Sequence, residues 1–556
     1  MDLLRCAGLS VVTTVLISVL DAHLHPEAIS MTVTRNTIFI HFAIEYFTLN
    51  FYRIFIYHRY FSPLRHLPGP NDNHWLFGQS INLLKANSPT ELYVKWMLEY
   101  PDAPFIRYLS FGNKEVLVPN SPNAHKEILQ TYGYELRKPA TWLRMTKEMA
   151  GEGVIVMEFD KHRRHRRLLS GPFSMSSIKR LEPVFHSKAV EVTQLFDRAI
   201  QAGADDSGVI NCTDTFSKTT LDIMGITVLG IDLGNLAATQ FGDKQTNPDR
   251  GTEYGFHEAY EDIFVLSSLG KLLMVGNGLV PLRWLPLTAN RSFKFATSWL
   301  QDYITKLLRK RKREIRSEIE SRTYEKKESR DLLSFLIEES VSGGSAEDAT
   351  EVELVGDLLQ FMIAGHDTSA NALSWSLCVL ARRHDIQSTL RAELSTLRHD
   401  PSFTDIDRLR YLDNFIKECL RLYPPAASFH REIVTSAVVE GISIPKHTAF
   451  DVVPSVLALN PLTWGRGANE MDPTRWDRLK GDQLSPHAFQ IFCSGPRICP
   501  GRAFAYMEMK IILATVVRQF RFIQVEKEFT VENPGFTLRP RGLEVRLERV
   551  ESLKGV

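Results

Sequence analysis

From Val355 to Arg382 the chain places apolar residues three and four apart, the spacing of one helix face, and the same period returns at Tyr411–Leu422 and Gly501–Phe520. Helices of this kind must bury their apolar faces on one another, so a mainly α domain is expected. Strand-like pieces are short, Lys114–Asn120 and Gly542–Val550, and predict only small β-sheets. No repeat, low-complexity block or second linker interrupts the chain beyond about Pro68. With 556 residues, 44% of them hydrophobic, the chain exceeds the roughly 250–300 residues at which a single core stops growing. One very large domain or two smaller ones follow from that.

The N-terminus has a different character. Cys6–Leu20 carries no charge but falls short of the about 20 residues a membrane span needs. It is compatible with a signal anchor, one arm of a helical hairpin or a weak signal peptide. Thr37–Tyr57 is the better span, although it contains Glu45 and Arg53. Arg59 and Arg65 just beyond it mark a cytoplasmic end. Residues 1–61 are therefore expected to be a membrane anchor region of one or two hydrophobic segments, with 37–57 the best span. Residues 62–70, "SPLRHLPGP", should form a stiff, proline-rich tether, and residues 71–556 the large globular domain, facing the cytosol.

Charge and cysteine usage exclude several classes. A formal net charge of +1, spread along the chain, argues against nucleic acid as partner. The basic run Lys306–Arg316 passes into alternating acids and bases and is expected to be a solvated helix face and a loop. Six cysteines lie far apart without a CxxC pair, which suggests neither a zinc ribbon nor a disulfide framework, and points to a reducing compartment. The sequons at Asn211 and Asn290 are common tripeptides and are read as chance.

One cysteine stands in a special place. In "FCSGPRICPG", Phe492–Gly501, Cys499 lies just ahead of a predicted helix whose first turn leaves free backbone donors and a positive dipole end. Such a position favours thiolate over thiol. Gly495 and Gly501 allow close backbone approach to something flat and large, Phe492 offers a ring, and Arg497 offers a fork suited to a carboxylate. A metal macrocycle bearing propionates fits all four. The alternative is a buried structural cysteine, but F-x-x-G-x-R-x-C-x-G arises by chance with a frequency on the order of 10⁻⁴ in such a chain.

The stretch resembles the haem-ligand loop of the cytochrome P-450 family, the haem-thiolate monooxygenases, and other parts of that family's pattern follow in order from about Pro68 to Val550. "AGHDTSA", Ala364–Ala370, resembles the oxygen-activating motif. Gly365 weakens the helix by roughly 1 kcal/mol relative to alanine, and the Thr368 hydroxyl can turn back on the Ala364 carbonyl, opening the ladder into a small groove for dioxygen and water. Asp367 and Thr368 would be the acid and alcohol that deliver protons. "KECLRLYPP" with Glu418 and Arg421, followed by "MDPTRWD" with Arg475, resembles the family's structural Glu-Arg-Arg network. "DKHRRHRRLLSGPFS" resembles its W-x-x-x-R pattern, with His162 in place of tryptophan and Arg166 as the cation, and "PPAASFHREIV" places Arg431 where a propionate-binding arginine often stands.

The resemblance implies the P-450 fold, with haem b buried between a long central helix and the Cys499 loop and with Cys499 as its axial thiolate. Haem contacts would come from His162, Arg166, Ala364, Gly365, Arg431, Phe492, Gly495, Arg497 and Gly501. The chain has no G-x-G-x-x-G loop, so electrons would come from NADPH through a separate flavin-containing reductase, at an endoplasmic-reticulum membrane. Pocket walls would include Thr141–Val156, Asp262–Leu287, Ile363–Ala364 and Ala426–Phe429, which favour a hydrophobic substrate. Similarity in style to fungal secondary-metabolite members suggests hydroxylation, epoxidation or further oxidation of a terpenoid, meroterpenoid or polyketide. The alternatives are a haem-thiolate isomerase or dehydratase acting on a peroxide, and a non-catalytic haem sensor.

Overall fold

The computed structural model describes residues 2–24, 35–203, 207–239, 254–321, 331–341 and 349–550. Its axis is the helix Glu351–Arg382, which starts where the apolar period starts. Thr350 and Glu353 form a reciprocal capping box there, Thr350 Oγ1 accepting from the Glu353 amide and Glu353 Oε2 from the Thr350 amide. Most of this helix is buried, because it is apolar nearly all round and is packed on several sides. Cys212–Met224 lies along one side, and Thr288–Glu320, Arg410–Leu422 and Arg502–Gln519 cover others. A single hydrophobic cluster extends from Met149 to Leu547 through these helices, so the large core forms as one body.

The sheets are small. A five-stranded sheet has the order Phe105–Leu109, Glu115–Pro119, Ala449–Val452, Phe429–Ile433, Leu136–Arg137, with only the Glu115–Pro119 and Ala449–Val452 pair parallel. Glu544–Arg549 lies between Ser207–Asn211 and Phe520–Gln524 in an antiparallel three-stranded sheet. The mainly α fold with minor sheets agrees with expectation, and both strand-like pieces of the sequence are strands.

The N-terminal segment differs from expectation. Thr37–Tyr57 does not form one helix: Arg35–Phe51 is α-helical and passes into a π-helical turn at Tyr52–Phe61. Asp2–Leu24 packs beside it, with Thr13 Oγ1 donating to Glu45 Oε1 at 2.7 Å and Thr14 Oγ1 2.7 Å from His41 Nδ1. Glu45, the acid that counts against a span, thus has a partner across the hairpin. Among the described residues no helix is long and apolar enough to cross a membrane.

Nor is Ser62–Pro70 a free tether. Ser62 Oγ donates to Glu115 Oε1 at 2.7 Å, Leu64 is buried, and the Pro68 carbonyl accepts from the Arg107 amide at 2.8 Å. The prolines do exclude helix, but the leucines between them find the five-stranded sheet to pack on. The run Lys306–Arg316 sits on the Thr288–Glu320 helix, whereas 322–330 of the expected loop and 551–556 at the end of the expected catalytic domain lie outside the described residues. Asn290 is buried, its amide donating to the carbonyls of Leu282 and Leu285.

Candidate active site

Between the Glu351–Arg382 helix, the Phe492–Gly501 loop and the Phe429–Ile433 strand lies a cavity of about 660 Å³. Cys499 forms part of one wall; Ala364, Gly365 and Thr368 form part of another. The loop is held by the Cys499 amide, which donates to the Phe492 carbonyl at 2.9 Å, and by the Phe492 ring, 5.4 Å from that of Tyr506. Gly495 has φ +69°, and a Cβ there would lie 2.2 Å from the Leu129 carbonyl oxygen. Its glycine is thus required by the turn Glu127–Thr131 beneath the loop, not by a flat group in the cavity. At Gly501 a Cβ would meet only Cys499 Sγ, at 3.9 Å, so here the open side does face the cavity.

Burial raises the Cys499 pKa, and the Gly501 amide and the charges of Arg166 and Arg502 offset that only in part. The protein alone keeps a thiol; a coordinated metal ion deprotonates such a group outright.

One edge of the cavity is crowded with basic side chains. Lys138, Arg166, Arg431 and Arg497 all line it, together with His162. Arg497 pairs with Glu158, which also accepts from Lys138 Nζ at 3.0 Å, so the fork expected to hold a cofactor carboxylate already has an internal one. Arg431 donates only to the carbonyl of His430, and Arg166 makes no hydrogen bond or ion pair among the described residues. Burial, then the charges of Arg497 and Arg431, pull Lys138 down to about 7; burial, then Arg497 and Lys138, depress His162 to about 3. His162 is therefore a neutral ring, with Tyr134 Oη 3.3 Å from Nδ1, and in the tautomer protonated on Nε2 it has a proton to donate. Four basic groups with one bonded carboxylate leave the cluster short of negative charge. A flat macrocycle with two carboxylates, entering a cavity with a thiol on its wall, fits the volume, the charge deficit and the donor set.

On the central helix Thr368 Oγ1 donates to the Ala364 carbonyl at 2.7 Å, as the sequence suggests. The helix is nevertheless α-helical throughout Ala364–Thr368, so the expected groove has not opened. Gly365 has another use, since a Cβ there would lie 2.5 Å from Met224 Sδ: the glycine lets the Cys212–Met224 helix approach. Asp367 and Thr368 do not bond to each other. Asp367 Oδ2 accepts from Thr537 Oγ1 at 2.6 Å, and its carboxylate also borders a small side pocket with Tyr260 and Arg539.

Behind the site, Glu418 and Arg421 lie one turn apart and are both fully buried. Arg421 Nε and Nη2 reach Glu418 Oε2 and Oε1 at 2.9 and 2.8 Å, Arg475 Nε reaches Oε1 at 3.1 Å, and Trp476 Nε1 adds a bond to Oε2 at 3.1 Å. Arg421 Nη1 also donates to the carbonyls of Ala458 and Ala468, which stitches the segment after the sheet to the helix.

Several residues here have no sequence signal. Lys138 and Glu158 are 20 apart and carry no motif. Asp357 and Gln360, two turns and one turn ahead of Ala364, accept from the Val154 and Ile155 amides, both at 2.6 Å, and so fix the cavity wall. Their spacing on the helix could have marked a polar stripe. Glu508, nine residues past Cys499, is fully buried, and neither carboxyl oxygen has a hydrogen-bond partner of normal geometry. Burial pushes it up to about 8, the nearby Ser369 hydroxyl offsetting this only in part.

A thiol on a helix-opening loop, facing an alcohol-bearing helix across a cation-edged cavity in a mainly helical domain, defines a haem-thiolate protein. The comparisons agree: the family model for Cytochrome P450 matches residues 67–547, and the chain belongs to that family. It is 30% identical over 509 residues to Cytochrome P450 monooxygenase sphH of Aspergillus fumigatus, covering 88% of this chain and 89% of that one. It is 27% identical to Cytochrome P450 monooxygenase FUM15 of Gibberella moniliformis, covering 87% of each. Cytochrome P450 monooxygenase ALT8 of Alternaria alternata is also 27% identical, with 88% of this chain and 91% of that one covered. The protein is a haem-dependent monooxygenase that draws electrons from a redox partner.

Proposed function

We propose that the enzyme oxidises a hydrophobic small molecule of secondary metabolism, of terpenoid, meroterpenoid or polyketide type. The observation that carries this is the cavity itself. Its walls near Cys499 and Thr368 are dominated by apolar side chains such as Phe361, Ile363, Phe429 and Phe536, and its polar groups are concentrated at one edge. In this assignment Cys499 holds the iron, and Arg166, Arg431, Arg497, Lys138 and His162 hold the propionates, with Glu158 sharing Arg497 and Lys138. When bound, haem supplies the iron at which dioxygen is reduced and one oxygen atom is passed to the substrate.

The chain's own part is to move protons. Thr368 gives its hydroxyl proton to the Ala364 carbonyl and keeps its oxygen lone pairs free to accept one from the cavity. Asp367 accepts from Thr537 through one oxygen and also has Tyr260 in hydrogen-bonding reach, and its carboxylate takes up and releases the proton. Because the two side chains do not bond directly, water between them completes the relay. Glu418, Arg421 and Arg475 hold the scaffold and touch no reacting group. Electrons would come from an NADPH-dependent, flavin-containing reductase. The N-terminal hairpin, with Val12, Leu16, Phe39 and Phe47 exposed on its outside, would associate with a membrane surface without a helix that spans it.

The test is the spectrum of the reduced protein with carbon monoxide, wild type against Cys499→Ser. A strongly red-shifted Soret band, lost in the variant, is expected; a band typical of histidine-ligated haem in the wild type would refute the ligand assignment. With a reductase and NADPH supplied, Thr368→Ala should consume oxygen without matching product, and unchanged coupling would remove Thr368 from the relay.

A further inference from the structure

One polar arm of the cavity wall is used neither by the propionate cluster nor by the proton pair. His430 lies on Phe429–Ile433, an internal strand of the five-stranded sheet, yet its side chain is 33% exposed and lines the cavity. Along a strand, alternate residues share a face, so Ser428 and His430 lie on one side while Phe429 and Arg431 lie on the other. His430 Nε2 is 3.2 Å from Ser428 Oγ, which also lines the cavity.

Behind His430 stands its cross-strand neighbour Asp451. Its Oδ1 takes His430 Nδ1 at 2.6 Å, and its Oδ2 accepts from Tyr93 Oη at 2.8 Å and Tyr108 Oη at 2.5 Å. Asp451 is buried. A carboxylate held by three donors is acceptor only, so His430 carries a proton on Nδ1. Burial and the neighbouring Arg431 lower the His430 pKa, but the charge and hydrogen bond of Asp451 outweigh both and leave it raised. With Nε2 protonated as well, a state that Asp451 and a carboxylate in the cavity both favour, it donates to Ser428 Oγ, and the Ser428 proton is left to point into the cavity. Charge-assisted donors in series polarise one another, so the chain of two tyrosines, aspartate, histidine and serine ends in a strong O–H donor on a largely apolar wall.

We propose that Ser428 and His430 form a substrate subsite that binds a carboxylate oxygen, and so select which carbon of an otherwise hydrophobic molecule is held at the reaction centre. The subsite rests on the monooxygenase reading of the cavity. It is distinct from the propionate cluster because the side chains of Ser428 and His430 bond to each other and to Asp451, and to none of Lys138, His162, Arg166, Arg431 and Arg497.

The experiment is an optical titration of the full-length holoprotein, with equilibrium dialysis alongside, using dodecanoate and 1-dodecanol as probes. Wild type should bind dodecanoate about tenfold tighter than the alcohol, the scale of one hydrogen bond to a charged group. Both Ser428→Ala and His430→Leu should abolish that preference while leaving alcohol affinity and the carbon monoxide spectrum unchanged. If His430→Leu fails to fold because Asp451 loses its partner, Ser428→Ala leaves that pair intact and decides. Absence of the preference in wild type, or its survival in Ser428→Ala, overturns the subsite while the monooxygenase assignment stands. A wild-type protein without the thiolate band overturns both.

Discussion

Glu508 should make the protein lose stability as pH rises, by an amount large enough to measure. The side chain is fully exposed to water in the unfolded chain, where it titrates at the ordinary 4.5, and fully buried in the folded one, where it titrates at about 8. Between those values the folded state holds a proton that the unfolded state has released. The stabilising linkage is thus complete below pH 4.5, declines as pH rises, and is gone above about 8. Its limiting slope is about 1.4 kcal/mol per pH unit, so between pH 5.5 and 7.5 the wild type should lose roughly 2–3 kcal/mol on account of this residue alone. Glu508→Gln keeps the shape and removes the proton. Urea unfolding of both proteins across that range gives the difference directly, with every other titrating group common to the pair. The free-energy gap should move in favour of the variant as pH rises. Parallel profiles, or a gap moving the other way, would show that Glu508 is ionised in the folded state and has a partner there.

Glu418→Ala should leave two arginines beside an empty acceptor site, Arg421 fully buried, and cost about 3–5 kcal/mol in thermal or urea unfolding; a loss under 1 kcal/mol would deny the network its structural role. Gly495→Ala should be far worse tolerated than Gly365→Ala, because the first new methyl meets the Leu129 backbone at 2.2 Å with φ +69°, whereas the second meets the flexible end of Met224. Soluble yield and melting temperature rank the two, and Met224→Ala should relieve only the second. Arg166→Leu, which removes a cation with no hydrogen-bond or ion-pair partner among the described residues, should lower the haem-to-protein ratio on gel filtration without destabilising the apoprotein; full haem retention would place the propionates elsewhere.

What was legible in the sequence was local. The helix period at Val355–Arg382, the one-turn spacing of Glu418 and Arg421, and the return of Thr368 on Ala364 depend on neighbours a few residues away, and all three are present in the structure. What escaped depends on distant segments. Lys138 and Glu158 matter because Arg497 is folded against them, and His430 matters because Asp451 lies across the sheet with Tyr93 and Tyr108 behind it. Gly495 was noticed for close approach and Gly365 for weakening the helix, but the groups that approach them are the Leu129 backbone and Met224, which no local pattern names. The prolines of Ser62–Pro70 suggested a tether because they forbid helix; that Leu64 would find a buried place on the sheet is a tertiary fact.

The thiol at Cys499 shows most clearly how a local rule is overridden. A helix start lowers a cysteine pKa when the sulfur stays near water, but here burial is the larger effect and the net direction is upward. The same holds at the cavity edge, where Lys138 is pulled down to about 7 by burial among other cations. Thiol, lysine and the unpartnered Arg166 are each unfavourable in isolation, and each is unfavourable in the sense that a metal ion and two carboxylates would correct. On the assignment proposed above, a metal ion would turn the thiol into a thiolate, carboxylates would bring Lys138 back toward its ordinary range, and Arg166 would gain an anion. The strain is thus distributed over residues from separate segments, Lys138, Arg166, Arg431 and the Cys499 loop, and the cofactor relieves all of it together. Binding of such a group is then coupled to the packing of those segments on one another, and loss of haem should loosen the 138–166 wall and the Cys499 loop jointly while leaving the Glu418 network, which has its own internal partners, intact.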